Sequence, residues 1–165
     1  MSSDGLASFN SLPRVEAESR LYACCASHRW ASRVAGGRPY ANLEAVLSAA
    51  DSVWTELGPP DWLAALSGHP RLGERGGHSP GASEREQARV MNAKPDALAE
   101  LAEENRRYEA RFGHVFLIAA AGRTADEVLA ELRRRMDNEP AAEIKEAADE
   151  HRKINRLRLQ RMLAG

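Results

Sequence analysis

The chain has 165 residues, of which 43% are hydrophobic and 28% charged, and its formal net charge is −1. Those totals suit a single soluble globular domain over residues 1–165, able to bury about 70% of the surface it exposes when unfolded. The near-zero charge argues against non-specific binding to nucleic acid or a membrane surface. No apolar run approaches the roughly 20 residues that span a bilayer.

Of the 23 basic residues only Lys94, Lys145 and Lys153 are lysines. Genome base composition accounts for such a bias, although a guanidinium fork also suits carboxylate partners. The only cysteines, Cys24 and Cys25, are adjacent and cannot readily bridge each other. A reduced chain in the cytoplasm is therefore expected. The opening MSSDGLASFN has no basic patch followed by an apolar core, so it does not read as a signal peptide.

In chain order, 15–26 and 28–35 read as two short helices, with Gly36 and Gly37 as the stop. From Asn42 the apolar residues Leu43, Val46, Leu47, Ala50, Val53, Trp54 and Leu57 recur at helical spacing. Gly58-Pro59-Pro60 ends that helix, and 61–66 gives one or two further turns. Trp30, Trp54 and Trp62 read as core anchors. Residues 68–82 are the one irregular stretch. Ser83 and Glu86 have the form of a capping box, which predicts a helix from Ser83 to about Met91.

Pro95 suits the first turn of a long helix to about Arg111, with Leu98, Leu101, Ala102, Asn105, Tyr108 and Phe112 on its inner stripe. The run 115–121 is apolar on every side and must be buried. Periodicity cannot separate helix from extended chain there; Val115, Phe116 and Ile118 favour extended chain at its start. Thr124 and Glu127 form a second capping box. The last helix runs from about Pro140 to Leu163, with Ile144, Ala147, Ala148, His151, Ile154, Leu157 and Leu159 on or near one face. There is no repeat, no alternating βα pattern and no phosphate-binding glycine motif. The expected fold is an all-α, single-domain helical bundle with an irregular active-site loop near 68–82.

Candidate chemistry centres on that loop. His69 precedes Pro70, which pushes it out of helical geometry just past a helix end. Its side chain can exchange a proton near neutral pH; the plainer role is a surface histidine capping the preceding helix. Ser83, Glu86 and Gln87, read at a helix N-terminus, would face free N–H groups and the positive end of the dipole, a setting for a polar or anionic ligand. One of Arg156 and Arg158 lies close to the apolar stripe and could clamp a substrate carboxylate through paired hydrogen bonds. His78 reads as solvated and His151 as a helix-face residue. The histidine spacing matches no metal motif, so no metal is expected.

Several motifs, in order, resemble one family. They are FNSLP at 9–13, the stretch from Cys24-Cys25 to Trp30-Ala31, RPY at 38–40, DWLAALSGHP at 61–70 and HPRLG at 69–73. SEREQ at 83–87, NRRYEARFGHVFLI at 105–118 and the last third from Ala121 to Met162 follow. Together they resemble the 2-oxo-4-hydroxy-4-carboxy-5-ureidoimidazoline (OHCU) decarboxylases of urate breakdown. The resemblance covers nearly the whole chain; the short, Gly-rich loop between His69 and Ser83 and His114 after Phe112-Gly113 depart from it.

The resemblance implies an all-α, cofactor-free carboxy-lyase that yields (S)-allantoin. It implies His69 as the catalytic histidine and Glu86 as the carboxylate that assists it. Pro70, Ser83 and Gln87 would contact substrate, as would the backbone at Ile118, Ala119, Ala120, Ala121 and Gly122, and Arg158 would meet a substrate carboxylate or ring carbonyl. The partner is then a small ureidoimidazoline, with no nucleic acid and no membrane, and a homodimer is compatible. The rival readings are a helical binding or regulatory module that sets its arginine-rich last helix against an acidic partner, and another cofactor-free lyase or isomerase on the same scaffold.

Overall fold

The computed structural model describes residues 2–164; Met1, which opens the segment read above for a leader, and Gly165 lie outside the described residues. Those residues form an all-α structure, with no strand among them. The helices are α1 (Ser2–Ser11), α2 (Arg14–Cys24), α3 (His28–Gly36), α4 (Leu43–Glu56), α5 (Pro59–Leu66), α6 (Pro80–Glu86), α7 (Ala88–Met91), α8 (Pro95–Phe112), α9 (Ala125–Arg135) and α10 (Pro140–Leu163). No helix among the described residues is long and apolar enough to cross a membrane. The chain divides into two compact units, one of Met1–Ala65 with Arg152–Gly165 and one of Leu66–His151.

In the first unit, helix starts follow side-chain caps. Ser27 accepts a hydrogen bond from the Trp30 amide at 3.2 Å, and Asn42 accepts one from the Ala45 amide at 2.8 Å. The stripe read from α4 is inward: Val46, Leu47, Ala50 and Trp54 are buried. Trp30 is fully buried, and its indole N–H finds the Ala50 carbonyl at 3.1 Å. Trp62 is only half-buried, with its indole on the Trp54 carbonyl. The Arg38 guanidinium donates to the carbonyls of Phe9 and Leu12, each at 2.8 Å, and so satisfies backbone groups that α1 leaves open at its end. Cys24 and Cys25 are buried thiols outside any disulfide.

The second unit has its own core of Leu72, Val90, Leu101, Tyr108, Phe116, Ile118, Val128, Leu129 and Leu132. Helix α8 begins with Pro95 in its first turn and ends at Gly113, whose φ of 79° is the left-handed conformation that closes a helix without Cβ strain. Leu101, Asn105 and Tyr108 of the expected stripe are buried, and Leu98, Ala102 and Phe112 are half-buried. Thr124 and Glu127 form the full capping box of α9.

Residues 115–120 are neither helix nor strand. Side chains satisfy several of their backbone groups, and the Arg123 amide donates to the Ala120 carbonyl at 2.9 Å. Arg135 donates to the Leu117 carbonyl at 2.7 Å, and Glu150 accepts from the Ala119 amide at 2.9 Å. Arg123 donates to the Ala119 carbonyl at 3.1 Å, and Arg89 to the Gly122 carbonyl at 2.7 Å. Arg135 itself is fixed. It pairs with Glu143 (Nε to Oε2, 2.9 Å), both side chains are almost wholly buried, and its guanidinium lies 4.5 Å from the centre of the Phe116 ring. Tyr108 donates to the same carboxylate. Burial, and then that bond, pushes the Tyr108 phenol well above its ordinary value, so it keeps its proton.

One sequence expectation fails here. Ser83 does not cap a helix. Helix α6 begins three residues earlier, at Pro80, with Ser79 before it, and stops at Gln87 before the short α7. Ser83 and Glu86 therefore stand inside the helix, away from the free amides and the dipole's positive end. The spacing of 83, 86 and 87 (i, i+3, i+4) is that of one helix face, and this face is the buried one.

Candidate active site

The loop from 67 to 79 joins α5 to α6 and carries His69. It is closed by its own backbone. The His69 amide donates to the Leu66 carbonyl at 3.0 Å, and the His78 amide to the Gly68 carbonyl at 2.6 Å. Gly77, at φ +83°, makes that crossing possible, since a Cβ there would stand 2.7 Å from Pro70 Cδ and 2.9 Å from the Gly68 carbonyl oxygen. Further along, Leu72 enters the core and its carbonyl accepts from Asn105 at 2.9 Å. The Gly73 amide donates to Gln87 Oε1 at 2.8 Å. Arg71 reaches Glu109 at 2.8 Å on the surface. An irregular segment is thus pinned at both ends, the physical condition for holding a working side chain on a loop.

The His69 side chain is half-buried. Its Nε2 lies 3.0 Å from Nε2 of His151, with the two rings edge to face at 88°. His151, read from the sequence as a helix-face residue, is wholly buried. Its predecessor Glu150 holds the Ala119 amide, so one turn of α10 gathers both the His69 loop and the segment 115–120.

Ser83, Glu86 and Gln87 are all buried, at 5%, 6% and 6% exposure, which is unusual for such side chains and marks a built polar face. Gln87 is the member seen to tie α6 to the loop. Pro70 is half-buried beside Gly77. Of the backbone candidates, Ile118 and Ala120 are buried in the core, Ala119 is half-buried with its amide on Glu150, and Ala121 and Gly122 are exposed.

Arg158 belongs to the first unit. It is buried and donates to the Cys24 carbonyl at 3.0 Å, whereas Arg156 is partly exposed and paired with Asp51 at 2.6 Å. His78 is exposed. Among the described residues, no group of three or more His, Cys, Asp or Glu side chains stands close enough to hold a metal ion.

Sequence reasoning missed His151 as a member of this site. The signal was there: it is the one imidazole in the otherwise mostly apolar stripe of α10, where a buried polar side chain requires a partner.

His69 thus stands half-buried against the buried His151, and Gln87, on the buried face that also carries Ser83 and Glu86, is bonded to the same loop at Gly73. The chain belongs to the OHCU decarboxylase family, whose model matches residues 10–160.

It is 35% identical over 147 residues to the uric acid degradation bifunctional protein TTL of Arabidopsis thaliana, a match covering 86% of this chain and 45% of that protein. A 2-oxo-4-hydroxy-4-carboxy-5-ureidoimidazoline decarboxylase of Amia calva is 45% identical over 56 residues, covering 34% of this chain and 32% of its own. The chain spans less than half the length of these curated relatives. Among solved structures, a crystal structure of OHCU decarboxylase in the presence of (S)-allantoin superposes with a TM-score of 0.77 at 32% identity, covering 87% of this chain and 96% of that one. An (S)-allantoin synthase crystal structure shares the fold with a TM-score of 0.73 at 20% identity, covering 95% of this chain and 53% of that one.

Proposed function

We propose that the protein decarboxylates 2-oxo-4-hydroxy-4-carboxy-5-ureidoimidazoline to (S)-allantoin, a step of urate breakdown. Family membership and the likeness to an OHCU decarboxylase structure with (S)-allantoin support the substrate class. The observation that carries the chemistry is the His69 imidazole, half-buried on a pinned loop and backed by His151.

The reaction breaks the bond between the carboxylate and its ring carbon. The electron pair left behind passes into the conjugated ring, CO2 departs, and the carbon bearing the ureido group takes a proton on one face. Such a reaction needs a group that moves protons near neutral pH and donors that steady the developing charge. His69 supplies the first, with Glu86 as the assisting carboxylate. Ser83, Gln87 and Pro70 hold the substrate ring, and the backbone from Ile118 to Gly122 offers further polar contacts. Rigid placement gives the handedness and part of the rate. The substrate's own ring accepts the electrons, so the proposal includes no cofactor.

The same reading places the protein in the cytoplasm, in keeping with its buried thiols, is compatible with a homodimer, and includes no nucleic-acid or membrane partner, in keeping with a net charge of −1. The test mixes the purified protein with freshly generated hydroxyisourate hydrolysis product and follows circular dichroism. Optically active (S)-allantoin is expected to appear faster than spontaneous decay; a signal no different from the protein-free control would refute the proposal.

A further inference from the structure

We propose that His151 is a positioning residue for His69, setting which ring nitrogen of His69 carries the proton. This deepens the decarboxylase reading and rests on it for its kinetic part alone. The rings meet through Nε2 on both sides, at 3.0 Å. A hydrogen bond between two such nitrogens needs one N–H and one lone pair. The accepting ring is therefore neutral and carries its proton on Nδ1, while the donating ring carries its proton on Nε2. Two imidazolium rings would aim like charges and two donors at each other, so the contact admits at most one positive charge. Neither tautomer is then a free choice of His69.

The edge-to-face arrangement, with centroids 4.7 Å apart, also fixes the plane of the His69 ring. Burial divides the labour: His69 is half-buried and can meet a substrate, whereas His151 is wholly buried and cannot. His151 is held in turn by a rigid element, since Glu150 beside it anchors the Ala119 amide.

Two measurements test this. The first needs no activity. In the unaltered protein at neutral pH, 15N NMR of the histidine rings is expected to show one of the two Nε2 atoms protonated and the other bare. Two rings with the averaged tautomers of a free imidazole would overturn the proposal. The second is kinetic. A glutamine amide reaches the position of Nε2 and an asparagine amide only that of Nδ1. His151→Gln is expected to keep kcat within about threefold, and His151→Asn to lower it about tenfold or more with KM within about twofold, since acid–base groups contribute about 10²–10⁴. Equal kcat in both variants and the unaltered protein, or equal loss in both with the melting temperature lowered, would assign His151 to structure only. An unaltered protein that shows the fixed tautomers but no decarboxylation would sink the decarboxylase reading and leave the ring pair standing.

Discussion

Replacing Glu143 by glutamine removes one negative charge at constant shape, from a site where both partners are out of water. Arg135 and Glu143 are exposed by only 1% and 0% of their side-chain surface. After the change the Arg135 guanidinium stays buried, over Phe116 and on the Leu117 carbonyl, with no counter-charge. Removing one partner of a buried pair costs about 3–5 kcal/mol, because the desolvated charge left behind has nothing to repay it. At this chain length each kcal/mol lowers the melting temperature by about 3 °C, so a drop of about 9–15 °C is expected in thermal unfolding. The triple variant Arg135→Met, Glu143→Leu, Tyr108→Phe removes charge and donors together and should melt much closer to the unaltered protein. A Glu143→Gln protein that melts within about 2 °C of it would refute the reasoning, since the pair would then not be desolvated.

Gly77→Ala should lower kcat while helical circular dichroism stays unchanged, because the new Cβ would meet backbone and ring atoms of Gly68 and Pro70, on either side of His69. Gly76→Ala, whose Cβ meets nothing within 4 Å, is the control and should cost less; the reverse order would contradict the crossing. Burial pushes the Cys25 thiol far above its ordinary value of 9.0, so it should resist alkylation in the folded protein at pH 8 and react fully in denaturant, as read by peptide mapping. Since the folded state holds that proton more tightly than the unfolded one, the stability it contributes is intact below pH 9.0 and declines above it; an alkaline limb unchanged in Cys25→Ala would contradict this. Arg158→Met removes the bond to the Cys24 carbonyl from a buried position, so the melting temperature should fall; an unchanged melting temperature would show that this bond contributes nothing to stability.

The helices that the sequence announced clearly are those with local signals. Pro95 and Thr124 each set a boundary through a fixed φ or a cap, and both act where they were read. Ser83 failed because S-x-x-E describes two things with equal economy: a cap with its return bond, or the inner face of a helix already begun. The deciding signal lay upstream in Ser79-Pro80, a helix start with proline in the first turn.

The non-helical run at 115–120 was half legible. The burial of Phe116, Leu117, Ile118 and Ala120 followed from composition, whereas periodicity did not tell that the stretch would be non-helical. That arginines and a glutamate from other elements satisfy its backbone is a tertiary fact with no local trace. His69 stood out because Pro70 pushes it out of helical geometry just past a helix end. Its partner lies 82 residues away, and no spacing rule connects the two.

The central claim is that the imidazole at 69 directs the proton that makes the product one-handed. The most direct measurement is the enantiomeric excess and rate of allantoin formed from fresh substrate by His69→Asn, beside the unaltered protein at equal helical content. The account predicts (S)-allantoin in excess from the unaltered protein, and racemic product at the spontaneous rate from His69→Asn. One-handed allantoin at an undiminished rate from His69→Asn would contradict it.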